Sequence, residues 1–123
     1  LSTVIGLLSR IHLGWDRNRD DLYRGVRFLA KKGPSSSDLY YTYIATQVVH
    51  RQTEGKGPIW KKWNEGVREM FTEAQSRENH ARGSWHFAED PRAKRGGRFY
   101  CTALAVMTLE VYYRHLEIYQ LPD

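Results

Sequence analysis

The chain has 123 residues, of which 41% are hydrophobic and 27% are charged, and its formal net charge is +5. This length fits one domain, and the composition is that of a globular protein with a core, which excludes a disordered chain. A single cysteine excludes an internal disulfide and a zinc site built on a CxxC pair. No apolar run reaches the roughly 18 residues of a membrane-spanning helix, so we expect a soluble protein and leave its compartment open.

The first three predicted helices each carry an apolar stripe at helical spacing. The first runs through residues 1–15. The second opens at Asn18 as its N-cap and stops at Gly33 and Pro34. The third begins after Ser37 or Asp38. Their stripes consist of Val4, Leu7, Leu8, Ile11 and Trp15, of Leu22, Val26 and Leu29, and of Tyr40, Ile44, Gln47 and Val48.

The fourth and fifth predicted helices are separated by a long loop at residues 76–98. A loop of this length is functional or is held by its own side chains. The fifth helix, from about Phe99 to His115, is apolar almost all round and is therefore predicted at the centre of the assembly. The fourth has Pro58 at its first position, and its stripe consists of Trp60, Trp63, Val67, Met70, Phe71 and Ala74.

No strand pattern is found, so the predicted class is all-α, with residues 1–123 as one domain. The chain begins at Leu1, and the segment that follows lacks the basic region and cleavage site of a signal peptide. We expect the chain to be the C-terminal fragment of a longer protein.

Two segments, at residues 24–33 and 66–75, repeat a basic residue followed by a bulky apolar pair, with a period of 42 residues that suits a helical hairpin. The segment REMFTEAQSRENHARGSW resembles the QW repeat of squalene–hopene cyclases and their relatives, in which a Gln near a helix end precedes Gly-x-Trp. The matching residues are Gln75, Gly83 and Trp85, and a second, partial copy consists of Arg24, Gly25, Phe28 and Leu29.

The segment GSW followed by GGRFYCTALAVMTLEVYYRHL is similar to the end of the toroid domain in bacterial proteins with prenyltransferase and squalene oxidase repeats. The resemblance implies an (α/α) toroid, of which five to six helices in antiparallel hairpins form only an arc. Such an arc continues in another part of the protein or completes itself by self-association. The resemblance also implies that Gln75 bonds exposed backbone at a helix end and that Trp85 covers it.

Cyclases of this family protonate their substrate with an Asp-rich motif, and the nearest segment here is NRDDLY, in which Asn18 stands in place of the first carboxylate. Asp20 and Asp21 are explained as carboxylates that favour the dipole of the helix they begin. Glu110 is a third candidate acid, on the condition that the toroid cavity is open to lipid. We predict no catalytic residue and keep these three acids as the candidates.

Prenyltransferases of the family hold zinc with Asp, Cys and His. Here Phe99 precedes Cys101 where the Asp is needed, and His115 lies too far along the same helix to share a metal with the thiol. His80 and His86 lack a clear third ligand. We therefore predict no metal and no cofactor, with Cys101 as a buried thiol. A thioester is excluded because no Glu-Gln pair follows Cys101.

The aromatic residues fit either a plain core or the wall of a cavity whose rings stabilise cations. The candidate cavity residues are Tyr40, Tyr43, Trp60, Trp63, Tyr100, Tyr112 and Tyr113. The one local basic cluster is a candidate anion site and consists of Arg92, Lys94, Arg95 and Arg98.

These observations predict a non-catalytic helical repeat module that binds a protein or an apolar ligand on its concave face. The alternative is a part of an isoprenoid cyclase or prenyltransferase whose catalytic residues lie outside this chain. A weaker alternative is anion or nucleic-acid binding through residues 92–98; nucleic acid is not the partner we expect, because the other basic residues alternate with acidic ones.

Overall fold

The computed structural model describes residues 1–114 of the chain. Its helices are α1 at Ser2–His12, α2 at Asp20–Lys32, α3 at Leu39–Thr53, α4 at Gly57–Ala74, α5 at Ala93–Leu109 and the short α6 at Val111–Arg114, with one 3₁₀ turn at Asn79–Ala81. There is no strand in this part of the chain, which confirms the all-α class. None of the described helices is long and apolar enough to cross a membrane, as the sequence predicts.

Helix α3 lies at the centre of the molecule and packs against α1, α2, α4, α5 and α6. Asp38 caps its first turn, as predicted, by accepting a hydrogen bond from the Tyr41 backbone N–H at 2.9 Å. Its buried threonines do not leave polar groups unpaired, since the Thr46 hydroxyl donates to the Thr42 carbonyl one turn earlier. A helix of mixed composition is therefore buried on nearly every side.

The prediction that the fifth helix occupies the centre is wrong. Helix α5 buries one face, which contains Cys101, Leu104 and Ala105, against α3, while Phe99 and Val106 are exposed. It also begins earlier than predicted, at Ala93, with a kink at Gly97, where φ is +58°. The apolar residues on the different sides of α5 therefore have different environments: one face lies in the core and another is exposed at the surface.

The stripes of α1, α2 and α4 are placed as predicted, whereas in the predicted stripe of α3 Ile44 and Val48 are buried but Tyr40 is exposed. The core includes Val4, Leu22, Trp63 and Phe71 from the predicted stripes of α1, α2 and α4. Asn18 does not cap α2, whose N-cap is Arg19. The Asn18 backbone N–H instead donates to the Asp16 side chain at 2.7 Å, in a turn that precedes the helix.

Candidate functional site

The three candidate acids lie at helix ends on the surface. Asp20 and Asp21 occupy the exposed first turn of α2, and Asp21 accepts a hydrogen bond from Arg24 at 2.6 Å. Glu110 is the exposed C-cap residue of α5, so it does not lie in a buried inner helix. An acid that protonates an alkene needs burial to stay protonated, and none of these three positions provides it.

The candidate metal ligands are separated. Cys101 is fully buried and its sulfur accepts a hydrogen bond from the Phe87 backbone N–H at 3.4 Å, as a structural thiol does. His80 and His86 are exposed, and His115 lies outside the described residues. Residues 1–114 contain no group of three His, Cys, Asp or Glu side chains arranged to hold a metal ion.

The repeat residues Gln75, Gly83 and Trp85 meet at the C-terminal end of α4. The Gln75 side chain donates to the Gly83 carbonyl at 2.9 Å, and the buried Trp85 indole donates to the Phe71 carbonyl at 2.7 Å. The resemblance implies that the glutamine bonds the helix end and that the tryptophan covers it. In the structure the tryptophan bonds the helix end, and the glutamine bonds the loop instead. The long loop is held by its own side chains, as one of the sequence alternatives predicts.

The partial repeat in α2 is divided between core and surface. Leu29 is fully buried, whereas Phe28 is 57% exposed and Arg24 is exposed and pairs with Asp21. Gly25 lies against α1, because a Cβ atom there would come within 2.8 Å of a Leu7 methyl carbon. Close approach of the two helices explains the glycine.

The candidate cavity aromatics occupy different environments. Trp63 is fully buried and donates to the Thr46 hydroxyl at 3.0 Å, while Trp60 packs edge-on against His50 with 4.9 Å between ring centroids. Tyr43 packs partly buried against the core, and Tyr112 and Tyr113 are exposed. The structure places Tyr40 in a groove between α1 and α3, of about 440 Å³, whose apolar walls also include Ile5, Leu8, Leu13 and Ile44.

The basic cluster at residues 92–98 is partly engaged. Arg92 pairs with Asp38 at 3.2 Å, and Arg98 donates to the hydroxyls of Ser76 and Ser84 at 2.9 and 3.2 Å. Lys94 and Arg95 are exposed. The cluster thus presents less uncompensated charge than its sequence suggests.

A polar network that sequence reasoning missed is built around Asp90, whose side chain is fully buried. One carboxylate oxygen accepts from the Leu39 backbone N–H at 2.9 Å and from the Tyr100 hydroxyl at 3.4 Å. The other accepts from the Arg92 backbone N–H at 2.8 Å. Asp90 therefore accepts hydrogen bonds from backbone N–H groups in the first turn of α3 and in the turn that leads into α5. The signal was present in the sequence, because Asp followed by Pro typically begins a helix.

Two tyrosines are held in the protonated state: Tyr100 of this network, and Tyr41 of α3, whose hydroxyl donates to the Gly33 carbonyl. Burial, together with the charge of Asp90, raises the pKa of Tyr100 to about 12. Burial and the charge of Asp38 likewise raise the pKa of Tyr41 to about 12. Both hydroxyls therefore remain hydrogen-bond donors at neutral pH and do not act as general bases.

Three exposed apolar side chains of α5 and α6 form a line that we call the α5 stripe: Phe99, Val106 and Tyr113. These side chains are 85%, 41% and 63% exposed. Residues seven apart lie on the same side of a helix, about two turns from one another. The three side chains therefore lie along one side of α5 and α6, with the exposed residue Glu110 between Val106 and Tyr113.

Comparisons of the chain with models of known protein families, with curated proteins and with solved structures find no match.

Proposed function

We propose that the chain is an arc of an (α/α) helical-repeat array, similar to the toroids of terpenoid cyclases and prenyltransferases, and that it is a non-catalytic binding module which pairs with a second copy. The observation that carries the binding function is the α5 stripe. The arrangement of Gln75, Gly83 and Trp85 around one helix end supports the repeat.

The stripe is complementary to itself. Val106 lies seven residues after Phe99 and seven before Tyr113. An antiparallel copy, related by a two-fold axis at Val106, would therefore bring each Phe99 against the partner's Tyr113 and the two Val106 side chains together. Aromatic pairs of this kind favour edge-to-face packing and add to the burial of apolar surface.

We expect Phe99→Glu to abolish this pairing. Fully burying a Phe side chain stabilises by about 2 kcal/mol. A dimer contains two copies, so the loss is about 4 kcal/mol, or roughly 1,000-fold in Kd. Sedimentation velocity over a concentration series measures the effect, with circular dichroism to verify the fold.

The matched control is Phe28→Glu, which places the same change on α2 at a side chain that is 57% exposed. This variant is expected to associate as the unchanged chain does. A chain that remains monomeric at every concentration, or equal weakening by both variants, would contradict the proposal.

The groove between α1 and α3 favours a second candidate function, the binding of an apolar ligand, and with it the alternative that the chain is part of an isoprenoid-processing enzyme. Its volume of about 440 Å³ and apolar walls suit a small ligand. A neutral dye such as Nile red is expected to gain fluorescence saturably with the chain and to lose that gain in Ile5→Glu but not in Phe28→Glu. If the fluorescence does not saturate, or if Ile5→Glu leaves it unchanged, the groove is not the binding site of the dye.

A further inference from the structure

A second cavity, of about 310 Å³, lies between α2 and the beginning of α4. Its lining consists of Arg27, Ala30 and Lys31 from α2 and Pro58, Ile59 and Lys62 from α4. Three of these six side chains are cationic and none is acidic. Because α2 and α4 contact each other, the fold assembles a basic pocket from residues that are about 30 positions apart in the sequence.

The three cations are not neutralised within the part of the chain that the structure describes. None of the ion pairs seen in the described part of the chain has Arg27, Lys31 or Lys62 as its cation. The Arg27 guanidinium lies over the Tyr23 ring, 5.8 Å from its centroid, which orients the side chain but leaves its charge. Arg24, one turn earlier on α2, pairs with Asp21 instead. The positive charge of the pocket is therefore available to a ligand.

The first turn of α4 adds to this potential. Lys56 is the N-cap of α4 and makes no side-chain hydrogen bond to the helix end, and Pro58 and Ile59 of the first turn line the pocket. The N-terminal end of a helix carries a partial positive charge that favours anions. A helix end alone would not define a site; here it adjoins three uncompensated side-chain charges in a concave surface.

We propose that this pocket, formed by Arg27, Lys31 and Lys62, binds a phosphate dianion, as the free ion or as a phosphate monoester. Two or more cations are needed to balance a dianion, and a guanidinium can donate two parallel hydrogen bonds to phosphate oxygens. The apolar floor of Ala30 and Ile59 can contact the organic part of an ester. The pocket is separate from the α5 stripe and its assignment does not depend on the proposed function.

Isothermal titration calorimetry with inorganic phosphate and with phenyl phosphate tests the site. Both are expected to bind the unchanged chain, and Lys31→Gln or Lys62→Gln is expected to weaken binding about tenfold, since a charge-assisted hydrogen bond contributes roughly 1.5 kcal/mol or more. Both lysines are exposed, so the variants should keep the fold. Tighter binding of phenyl phosphate would identify an ester as the ligand, and equal binding would identify the free ion.

Lys94→Gln is the matched control, because it removes the same charge from an exposed position at the start of α5. It is expected to leave phosphate binding unchanged. Failure of both probes to bind, or equal losses in Lys31→Gln and Lys94→Gln, would overturn the proposal, because a non-specific attraction to a basic protein would then explain the data.

Discussion

Replacement of Asp90 by alanine is expected to lower the free energy of unfolding by about 3 kcal/mol. The change leaves the buried backbone N–H of Leu39 without its acceptor and removes the acceptor of the Arg92 N–H and the Tyr100 hydroxyl. An unsatisfied buried donor costs about 1–3 kcal/mol, which is more than the net value of the hydrogen bond itself. Urea denaturation followed by far-UV circular dichroism measures the loss.

Two further variants separate the role of Asp90 from a general effect of charge. Glu89→Ala removes an exposed carboxylate from the preceding residue and should change stability by less than about 0.5 kcal/mol. Asp90→Asn keeps one acceptor oxygen but points an NH₂ group at a donor, so its loss should lie between the other two. If Asp90→Ala were as stable as Glu89→Ala, the network would not hold α3 in place.

Among the substitutions that act on folding stability, Trp85→Ala is expected to have the largest effect, a loss of about 4 kcal/mol in the free energy of unfolding. The indole is buried, packs edge-on against Phe71 with 6.1 Å between ring centroids, and bonds the Phe71 carbonyl. Its removal leaves a cavity between the long loop and the end of α4. Thermal and urea unfolding should both report the change.

Two milder substitutions separate the contributions of the Trp85 and Gln75 side chains. Trp85→Phe keeps most of the packing and removes only the N–H donor, so we expect a loss of about 1 kcal/mol, because the Phe71 carbonyl still accepts from the Gln75 backbone N–H at 3.1 Å. Gln75→Ala removes a partly exposed side-chain hydrogen bond and should cost a similar amount or less. A larger loss from Gln75→Ala than from Trp85→Ala would show that the glutamine, not the tryptophan, is the main structural element.

Much of the fold follows from local patterns in the sequence. Asp38 is recognisable as a cap because its side chain precedes an apolar periodic segment, and the Gly33 and Pro34 pair ends α2. The buried stripes of α1, α2 and α4 follow from helical spacing alone. These features depend on neighbours within one or two turns, which a sequence shows directly.

The position of each helix in the assembly depends on contacts that a sequence does not show. α3 carries threonine, tyrosine and histidine, so its period-3.6 signal is weak. It can nevertheless be buried, because Thr46 donates to a carbonyl of α3 itself and the Tyr41 and Thr42 hydroxyls donate to carbonyls of the preceding loop. From Phe99 onward α5 looks uniformly apolar, and nothing local distinguishes the face toward α3 from the α5 stripe. Apolar residues on all sides can mean a central helix or a helix with an interface on its outer face.

The local sequence pattern also does not show which basic residues come together on the surface. The basic residues at 92–98 form the densest basic cluster in the sequence, but Arg92 and Arg98 bond neighbouring side chains. The cations of the α2–α4 pocket come from two segments that are about 30 positions apart in the sequence. Folding brings Lys31 and Lys62 to one pocket, which only the contact between α2 and α4 reveals.

Disulfide formation by Val106→Cys tests most directly whether the α5 stripe is an interface between two copies. The chain's own Cys101 is fully buried, so the introduced thiol would be the exposed one among residues 1–114, and the sequence contains no other cysteine. Two cysteines at a two-fold axis approach within the 7 Å between Cα atoms that a disulfide requires. We predict rapid formation of a covalent dimer under mild oxidation, much faster than for the matched variant Phe28→Cys. Equal rates for the two variants would contradict the central claim, because the stripe would then meet a second copy only by random collision.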